Sequence, residues 1–415
     1  MSTQTAPMPE PAITGGAFRT LKNRNFSLFF WGQLVSLIGT WSQLLAVSWL
    51  IWRLTESAMW LGIANFAVHV PCILLGLPAG FVADRYDRLT ILTVMQALCM
   101  LQALALAWLT LTGAVQLWHV IVFGFFLGSV YAFEIPIRQA FVTDLVGKRD
   151  LLNAVALVAA MFHLTRMLGP TVAGGIVAWK GEGICFLFNA VTFLALIGAL
   201  LLIRRREMMS VSHTHERMFR SIKEGLIEAR RKPSVLNSLM LVAALAGIGM
   251  QYTTLLPVFA DKIFGGGAVE LGWMMGASGA GSLISAMLLA RRRSSGGLLA
   301  LALKSALIFS IVLIVLGLVH NFYVALAIFA VMGFTLTLSF SCINTLLQHA
   351  TSDHMRGRMM SLYSITFMGL FPFGSLAAGG MAKAFGVQLT VMAAGLICLI
   401  AGGAIWIRTR KLISA

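Results

Sequence analysis

Charge is scarce in this sequence. Asp, Glu, Lys and Arg together make up 11 % of its 415 residues, against 59 % apolar. Stretch after stretch of about twenty residues carries almost no charge, the length a helix needs to cross about 30 Å of hydrocarbon. That pattern excludes a soluble globular chain. Metal chemistry is equally thin: the five cysteines, Cys72, Cys99, Cys185, Cys342 and Cys398, lie inside apolar runs without paired metal-ligand spacing, so they read as small packing residues. No phosphate-binding loop and no paired-His metalloprotease motif occurs. The chain therefore lacks the constellation an integral-membrane enzyme needs, and no catalytic residue, metal or cofactor is expected. Residues 1–25 are polar and hold no charged-then-apolar segment with a small-residue cleavage site, so the first hydrophobic stretch is expected to be a retained span.

What is present is a series of twelve apolar runs, at 26–52, 59–82, 90–112, 118–138, 152–178, 183–203, 235–258, 268–290, 298–319, 322–347, 357–382 and 386–407. The expected fold is all-α, a polytopic membrane protein of twelve helices in two pseudo-symmetric six-helix bundles. Its parts are a tail at 1–25, bundles at 26–203 and 235–407, a linker at 204–234 and a tail at 408–415. In a soluble protein a net charge of +16 would point to nucleic acid. Here 25 of the 31 Lys and Arg residues fall in or beside the termini and the loops after even-numbered spans, leaving Arg53, Lys180, Lys262 and Lys383 on the other side and Arg166 and Lys304 within spans. Both termini are therefore expected in the cytoplasm, with the chain in the inner membrane, and no nucleic-acid partner is expected. The runs Arg204-Arg205-Arg206 and Arg291-Arg292-Arg293 anchor this topology and can hold anionic lipid headgroups. In the linker, Met218, Phe219, Ile222, Leu226 and Ile227 recur at helical spacing among basic residues, which predicts an interfacial amphipathic helix.

The two halves repeat at a spacing of about 205 residues: Ala173-Gly174-Gly175 matches Ala378-Gly379-Gly380, each after a stretch with Gly and Pro. Parallel six-helix repeats with a site between them are a transporter architecture. Arg166, in the middle of the fifth run, is the costliest residue to keep in hydrocarbon, at least ~2.5 kcal/mol, and such a charge faces a bundle interior or a wet cavity. Pro170 lacks an N–H and frees the Arg166 carbonyl, while Gly169 and its small neighbours permit close helix approach. Polar stripes mark expected cavity walls: Gln33, Ser36, Thr40 and Gln43 on the first span; Thr337, Ser341, Asn344 and Gln348 on the tenth; Asn65 and His69 on the second; Gln251 and Thr254 on the seventh. His163 joins them as a residue able to titrate near neutrality. Tyr131, Glu134 and Arg138 share one face of the fourth span. Glu134 is either a proton-exchanging carboxylate or the structural partner of Arg138, or of Arg166 across helices.

Between the second and third spans lies Gly80-Phe81-Val82-Ala83-Asp84-Arg85-Tyr86-Asp87-Arg88. Asp84 can accept backbone N–H groups and Arg85 and Arg88 can bridge to carboxylates or helix ends, so the turn can latch two bundles. It resembles the hallmark loop of the major facilitator superfamily, with Asp87 where that family usually has Gly and Leu89 where it often has a second basic residue. Three more segments look like the superfamily branch that holds enterobactin and macrolide exporters. They are Glu134-Ile135-Pro136-Ile137-Arg138-Gln139-Ala140 leading to Asp144, Arg166-x-x-Gly169-Pro170, and Arg356-Gly357-Arg358. The stretch from Gly169 resembles the superfamily's antiporter motif, with Ala173 and Gly174 in its Gly-Gly positions.

The resemblance implies a secondary-active exporter, proton-coupled, that carries a siderophore or an amphiphilic drug by alternating access. Its cavity is lined by spans one, four, seven and ten. Glu134 and Arg166 would serve coupling, and Gly80, Asp84, Arg85, Arg88, Arg138, Asp144, Gly169, Pro170, Arg356 and Arg358 would serve gating. Expected partners are a small organic solute, protons and membrane lipids, with the chain acting as a monomer. An uptake transporter for a small organic anion and a non-transporting sensor or scaffold remain as alternatives.

Overall fold

Inside hydrocarbon a backbone must satisfy its own hydrogen bonds, so apolar runs of this length coil into helices. The computed structural model describes residues 18–205, 226–230, 232–292, 296–351 and 353–413. Among these, twelve helices are long and apolar enough to cross a membrane. They are α1 Arg24–Thr55, α2 Ala58–Gly76, α3 Arg88–Leu111, α4 Leu117–Gly147, α5 Arg149–Lys180, α6 Glu182–Leu201, α7 Pro233–Ile263, α8 Ala268–Ala290, α9 Leu298–Leu316, α10 Phe322–Ala350, α11 Met355–Phe385 and α12 Val387–Thr409. The helix of α2 continues to Arg85. Local chemistry sets several starts: the side chains of Asn23, Asp87 and Asn321 accept backbone N–H groups from the first turns of α1, α3 and α10.

Two stretches depart from the expected runs. Residues 139–151, expected as a loop, are helical, and α4 passes into α5 through a single break at Gly147, whose φ of +66° suits a residue without Cβ. Polar composition there reflects helix ends that outrun the hydrocarbon. The seventh span is not one regular helix. Pro233–Gly247 is α-helical, Gly249–Leu255 tightens to a 3-10 helix, and Phe259–Ile263 widens to a π-turn. Gln251 supports the change, its Nε2 donating to the Ala246 carbonyl at 2.8 Å and the Phe371 carbonyl at 3.3 Å. Of the expected linker helix, residues 226–230 are described; they are helical, with Leu226 and Ile227 exposed, and Met218, Phe219 and Ile222 lie outside the described residues.

The bundles are related as the repeat implies. A Cβ on Gly174 of α5 would stand 2.7 Å from the Ala268 carbonyl oxygen of α8, and one on Gly379 of α11 would stand 2.7 Å from the Ala58 carbonyl oxygen of α2. Likewise Gly169 lies against Trp41 and Ile38 of α1, while Gly374 lies against Gly247 and Gln251 of α7. The small residues are therefore where backbones touch, Gly174 and Gly379 at two equivalent seams between the halves and Gly169 and Gly374 at equivalent contacts within them. With twelve crossings the start of α1 and the end of α12 lie on one side, called here the tail side, and the seams close toward the opposite, far side. There Trp52 Nε1 donates to Asp261 at 3.0 Å, and Lys262 Nζ donates to Glu56 at 2.8 Å, joining the ends of α1 and α7. Toward the tail side the same α5 face opens: Leu152, Ala156, Ala159 and Ala160 are exposed. So are Ser364, Ile365 and Met368 at equivalent places on α11. The halves thus enclose a cleft sealed on the far side and open on the tail side.

Candidate functional site

The orientation of α5 decides where Arg166 points. At about 100° per residue, Gly169 marks the line of contact with α1, and Met167 and Gly174 mark the line against α8. Leu168 and Val172 are exposed on the opposite side. Arg166 and His163 fall in the arc between the two contact lines and face the cleft. Among the described residues Arg166 makes no ion pair; its guanidinium lies 5.8 Å from the centre of the Trp41 ring. Trp41 in turn meets Phe162 edge-on at 5.4 Å. Ser42 Oγ donates to the Gly169 carbonyl at 2.9 Å, fixing α1 and α5 beside this group.

Glu134 is engaged elsewhere. It is buried, with Arg138 Nη1 at 3.5 Å and Gln96 Nε2 at 3.4 Å from its Oε1. Of the two ion-pair alternatives the sequence leaves open, the structure makes the pair within α4. Tyr131 shares this group through a hydrogen bond with Thr40, whose own hydroxyl donates to Ser36 O at 2.9 Å. Gln33 and Ser36 are buried on the same helix. Gln43 departs from the expected cavity wall: its Nε2 donates to Gln102 at 2.9 Å and its Oε1 accepts from Asn189 at 2.7 Å. Both ends of the amide bind α3 and α6 inside the N-terminal bundle, because α1 turns that face away from the cleft.

On α2, Asn65 Nδ2 donates to Leu61 O at 3.1 Å, and His69 Nδ1 lies 2.8 Å from Asn65 O with its ring 4.7 Å from that of Phe371. On α7, Gln251 Oε1 and Thr254 Oγ1 are buried with no hydrogen-bond partner among the described residues. On α10, Thr337 is buried, Ser341 O accepts from Thr345 at 2.9 Å, and Asn344 accepts from Gln348 at 2.6 Å and meets the Tyr363 hydroxyl.

At the tail-side rim Arg88 and Asp144 form a close pair, Nη1 to Oδ2 at 2.8 Å. Asp87 caps α3 and faces Arg205 at 3.2 Å. Partial burial would raise its carboxyl, but hydrogen bonds from Thr90 and the Arg205 charge outweigh that and hold it below the usual range. Arg85 is exposed, Arg356 Nε donates to Gln348 O at 3.2 Å, and Arg358 Nη1 meets Met355 Sδ at 3.4 Å. Gly80 falls within the helical continuation of α2 to Arg85, and the side chain of Asp84 lies outside what the structure describes. Pro170 sits at the α8 seam, its carbonyl facing Gly272.

A family model described as transmembrane secretion effector, MFS_3, matches residues 15–413. The chain belongs to this family of major facilitator transporters. It is 27 % identical to a staphyloferrin A transporter of Staphylococcus aureus over 89 % of this chain and 93 % of the relative. It is 22 % identical to macrolide efflux protein A of Streptococcus pyogenes over 91 % and 96 %. To an enterobactin exporter of Shigella boydii it is 23 % identical over 91 % and 90 %. In fold it resembles a POT family transporter solved with 5-aminolevulinic acid, at a TM-score of 0.73 and 11 % identity, with 94 % of this chain and 96 % of that one covered. A bacterial homologue of the lysosomal transporter Spinster gives a TM-score of 0.70 at 14 % identity, over 94 % and 98 %.

In this facilitator several residues at the site carry no motif. Trp41 and Phe162 beside Arg166, the Gln102 and Asn189 partners of Gln43, and the far-side group of Trp52, Asp261, Lys262 and Glu56 all lie outside the segments that resemble the superfamily. The buried amides on α3 and α6 had a readable signal, as polar side chains inside long apolar runs. The far-side group had none, because its members are separated by more than 200 residues.

Proposed function

We propose that this transporter is a proton-coupled exporter that carries an amphiphilic organic solute, of siderophore or drug kind, by rocking its two halves about the central cleft. In this reading the tail side is the cytoplasm, the membrane is the inner membrane, and the chain acts as a monomer among lipids. One set of observations supports it: the contacts between the halves gather on the far side, faces of α5 and α11 are exposed toward the tail side, and Arg166, with no counter-charge among the described residues, lies between the two contact lines of α5. Its relatives named as efflux proteins and siderophore transporters support the cargo class, and the basic tail-side loops support the orientation. The Arg166 wall receives the solute, Glu134 serves coupling through its contacts with Gln96 and Arg138, and the Arg88 and Asp144 pair belongs to the tail-side gate.

Everted membrane vesicles energised by respiration test the proposal with three labelled solutes, a macrolide, enterobactin and staphyloferrin A. The expected result is accumulation of at least one of them, collapsed by a protonophore. Accumulation of none, or accumulation the protonophore leaves intact, would overturn it. Accumulation confined to right-side-out vesicles would assign uptake instead.

A further inference from the structure

The wall formed by α1 and α5 holds donors with nothing to donate to. Trp41 Nε1 and His163 Nδ1 are buried without a hydrogen-bond partner among the described residues. Arg166 lies over the Trp41 ring at 5.8 Å and has no acidic partner there. Buried polar groups are nearly always hydrogen-bonded, and an unpaired one calls for a missing partner. Two such groups stand beside a half-buried guanidinium on one wall, and a single acceptor that carries negative charge would meet all three.

The opposite wall also has unpaired polar atoms, but of another kind: Gln251 Oε1, an amide acceptor, and the Thr254 hydroxyl, both on α7 and both uncharged. The spacing of 205 residues that takes Gly169 to Gly374 and Gly174 to Gly379 takes Arg166 to Phe371 and His163 to Met368. At that equivalent place the His69 ring packs on Phe371, with ring centres 4.7 Å apart. Two walls alike in backbone therefore differ in chemistry at the same depth, one cationic and donor-rich, the other aromatic. A ligand that spans them must itself be polar at one end and apolar at the other.

We propose that Trp41, His163 and Arg166 form a subsite for a carboxylate of an amphiphilic solute whose apolar body lies toward Phe371. The proposal rests on the transporter reading above and adds the chemical class and orientation of the cargo. A guanidinium offers two parallel N–H groups to the two carboxylate oxygens. The indole N–H supplies a third donor and its ring supports the guanidinium face. A neutral imidazole with its proton on Nδ1 supplies a fourth.

The test uses the purified full-length protein in detergent and a matched pair of probes, 1-naphthaleneacetate and its neutral amide, with affinities read by calorimetry. Wild type is expected to bind the acid more tightly than the amide. R166Q is expected to weaken the acid by about tenfold or more, the size of a hydrogen-bonded charge contact, while leaving the amide unchanged. W41F should weaken the acid alone by a smaller factor. R166K, which keeps the charge and gives up the paired donors, should weaken the acid yet preserve its preference over the amide, and it carries the test where R166Q does not fold. Equal binding of acid and amide by wild type, binding of neither, or an acid affinity unmoved by R166Q would overturn the subsite. Protonophore-sensitive macrolide accumulation without acid preference would leave the exporter reading intact and sink this one. Acid-selective binding without flux of any solute would do the reverse.

Discussion

Arg88, at the start of α3, reaches both carboxylate oxygens of Asp144, near the end of α4, through a single nitrogen, Nη1 standing 2.9 Å from Oδ1 and 2.8 Å from Oδ2. Their side chains are 14 % and 8 % exposed, so the contact is largely shielded from water. The pair joins a residue of the loop that resembles the superfamily hallmark to one beyond the fourth-span motif.

Removing Asp144 takes from Arg88 a close carboxylate contact in a place with little water. D144N is therefore expected to destabilise the protein by about 3 kcal/mol, seen as a lowered unfolding midpoint in detergent. Exchanging the two charges, R88D with D144R, should recover part of the loss; no recovery would mean that Asp144 acts through another neighbour.

The seams impose a size limit. A Cβ at Gly174 would come within 2.7 Å of the Ala268 carbonyl and 3.3 Å of the Gly272 Cα, both backbone atoms that cannot swing aside. G174V should hold α5 and α8 apart and weaken closure on the far side. Spin labels at the far-side ends of α5 and α8 should then report a longer distance than in wild type, whereas G175V, with open space around its Cβ position, should leave that distance unchanged.

Arg166 has no ion pair among the described residues to lose, so its removal should spare the fold. R166A is expected to insert and melt like wild type while accumulation in everted vesicles falls to background. Flux at the wild-type level in this variant would remove Arg166 from the transport site.

Glu134 sits between Arg138 and Gln96, and a neutral amide can keep the contact with Gln96 while giving up the exchangeable proton. E134Q is expected to bind cargo and to lose accumulation driven by a pH gradient. Unchanged dependence on the gradient would assign Glu134 to structure.

Asp87 yields a pH dependence of known sign. Its carboxyl is held below the usual value of about 4, so folding favours its ionised form. The stabilisation is fully present above the unfolded value and is lost as pH falls through the folded one. Wild type should therefore exceed D87N in stability near neutrality, and the gap should close in strongly acidic buffer. A gap that widened on acidification would mean that the capping carboxylate is not the source.

Much of the architecture was legible because its causes are local. Twelve apolar runs are twelve helices, since hydrocarbon leaves a backbone no other way to satisfy its N–H and C=O groups. The repeated small residues at Gly174 and Gly379 are where backbones meet. The irregular winding of the seventh span was not legible, because hydropathy does not distinguish α, 3-10 and π winding. That choice rested on Gly249 fitting against Phe309 and Cys398, and on the Gln251 amide taking up a freed carbonyl.

The site divides along the same line. By itself the sequence determined that Arg166 lies deep in an apolar helix and that polar stripes run along several spans, because the cost of polarity in hydrocarbon is a property of each residue and its immediate run. Only the tertiary structure decided which of those polar groups are satisfied. It committed Gln43 to Gln102 and Asn189, Glu134 to Arg138 and Gln96, and Arg88 to Asp144, and set Arg166 on Trp41 with no acid beside it. Partner choice between helices depends on helix rotation and on shifts of an ångström or so between segments remote in the chain, which no pattern within a single helix encodes; the Glu134–Arg138 pair, four residues apart on α4, was one of the alternatives its spacing allowed.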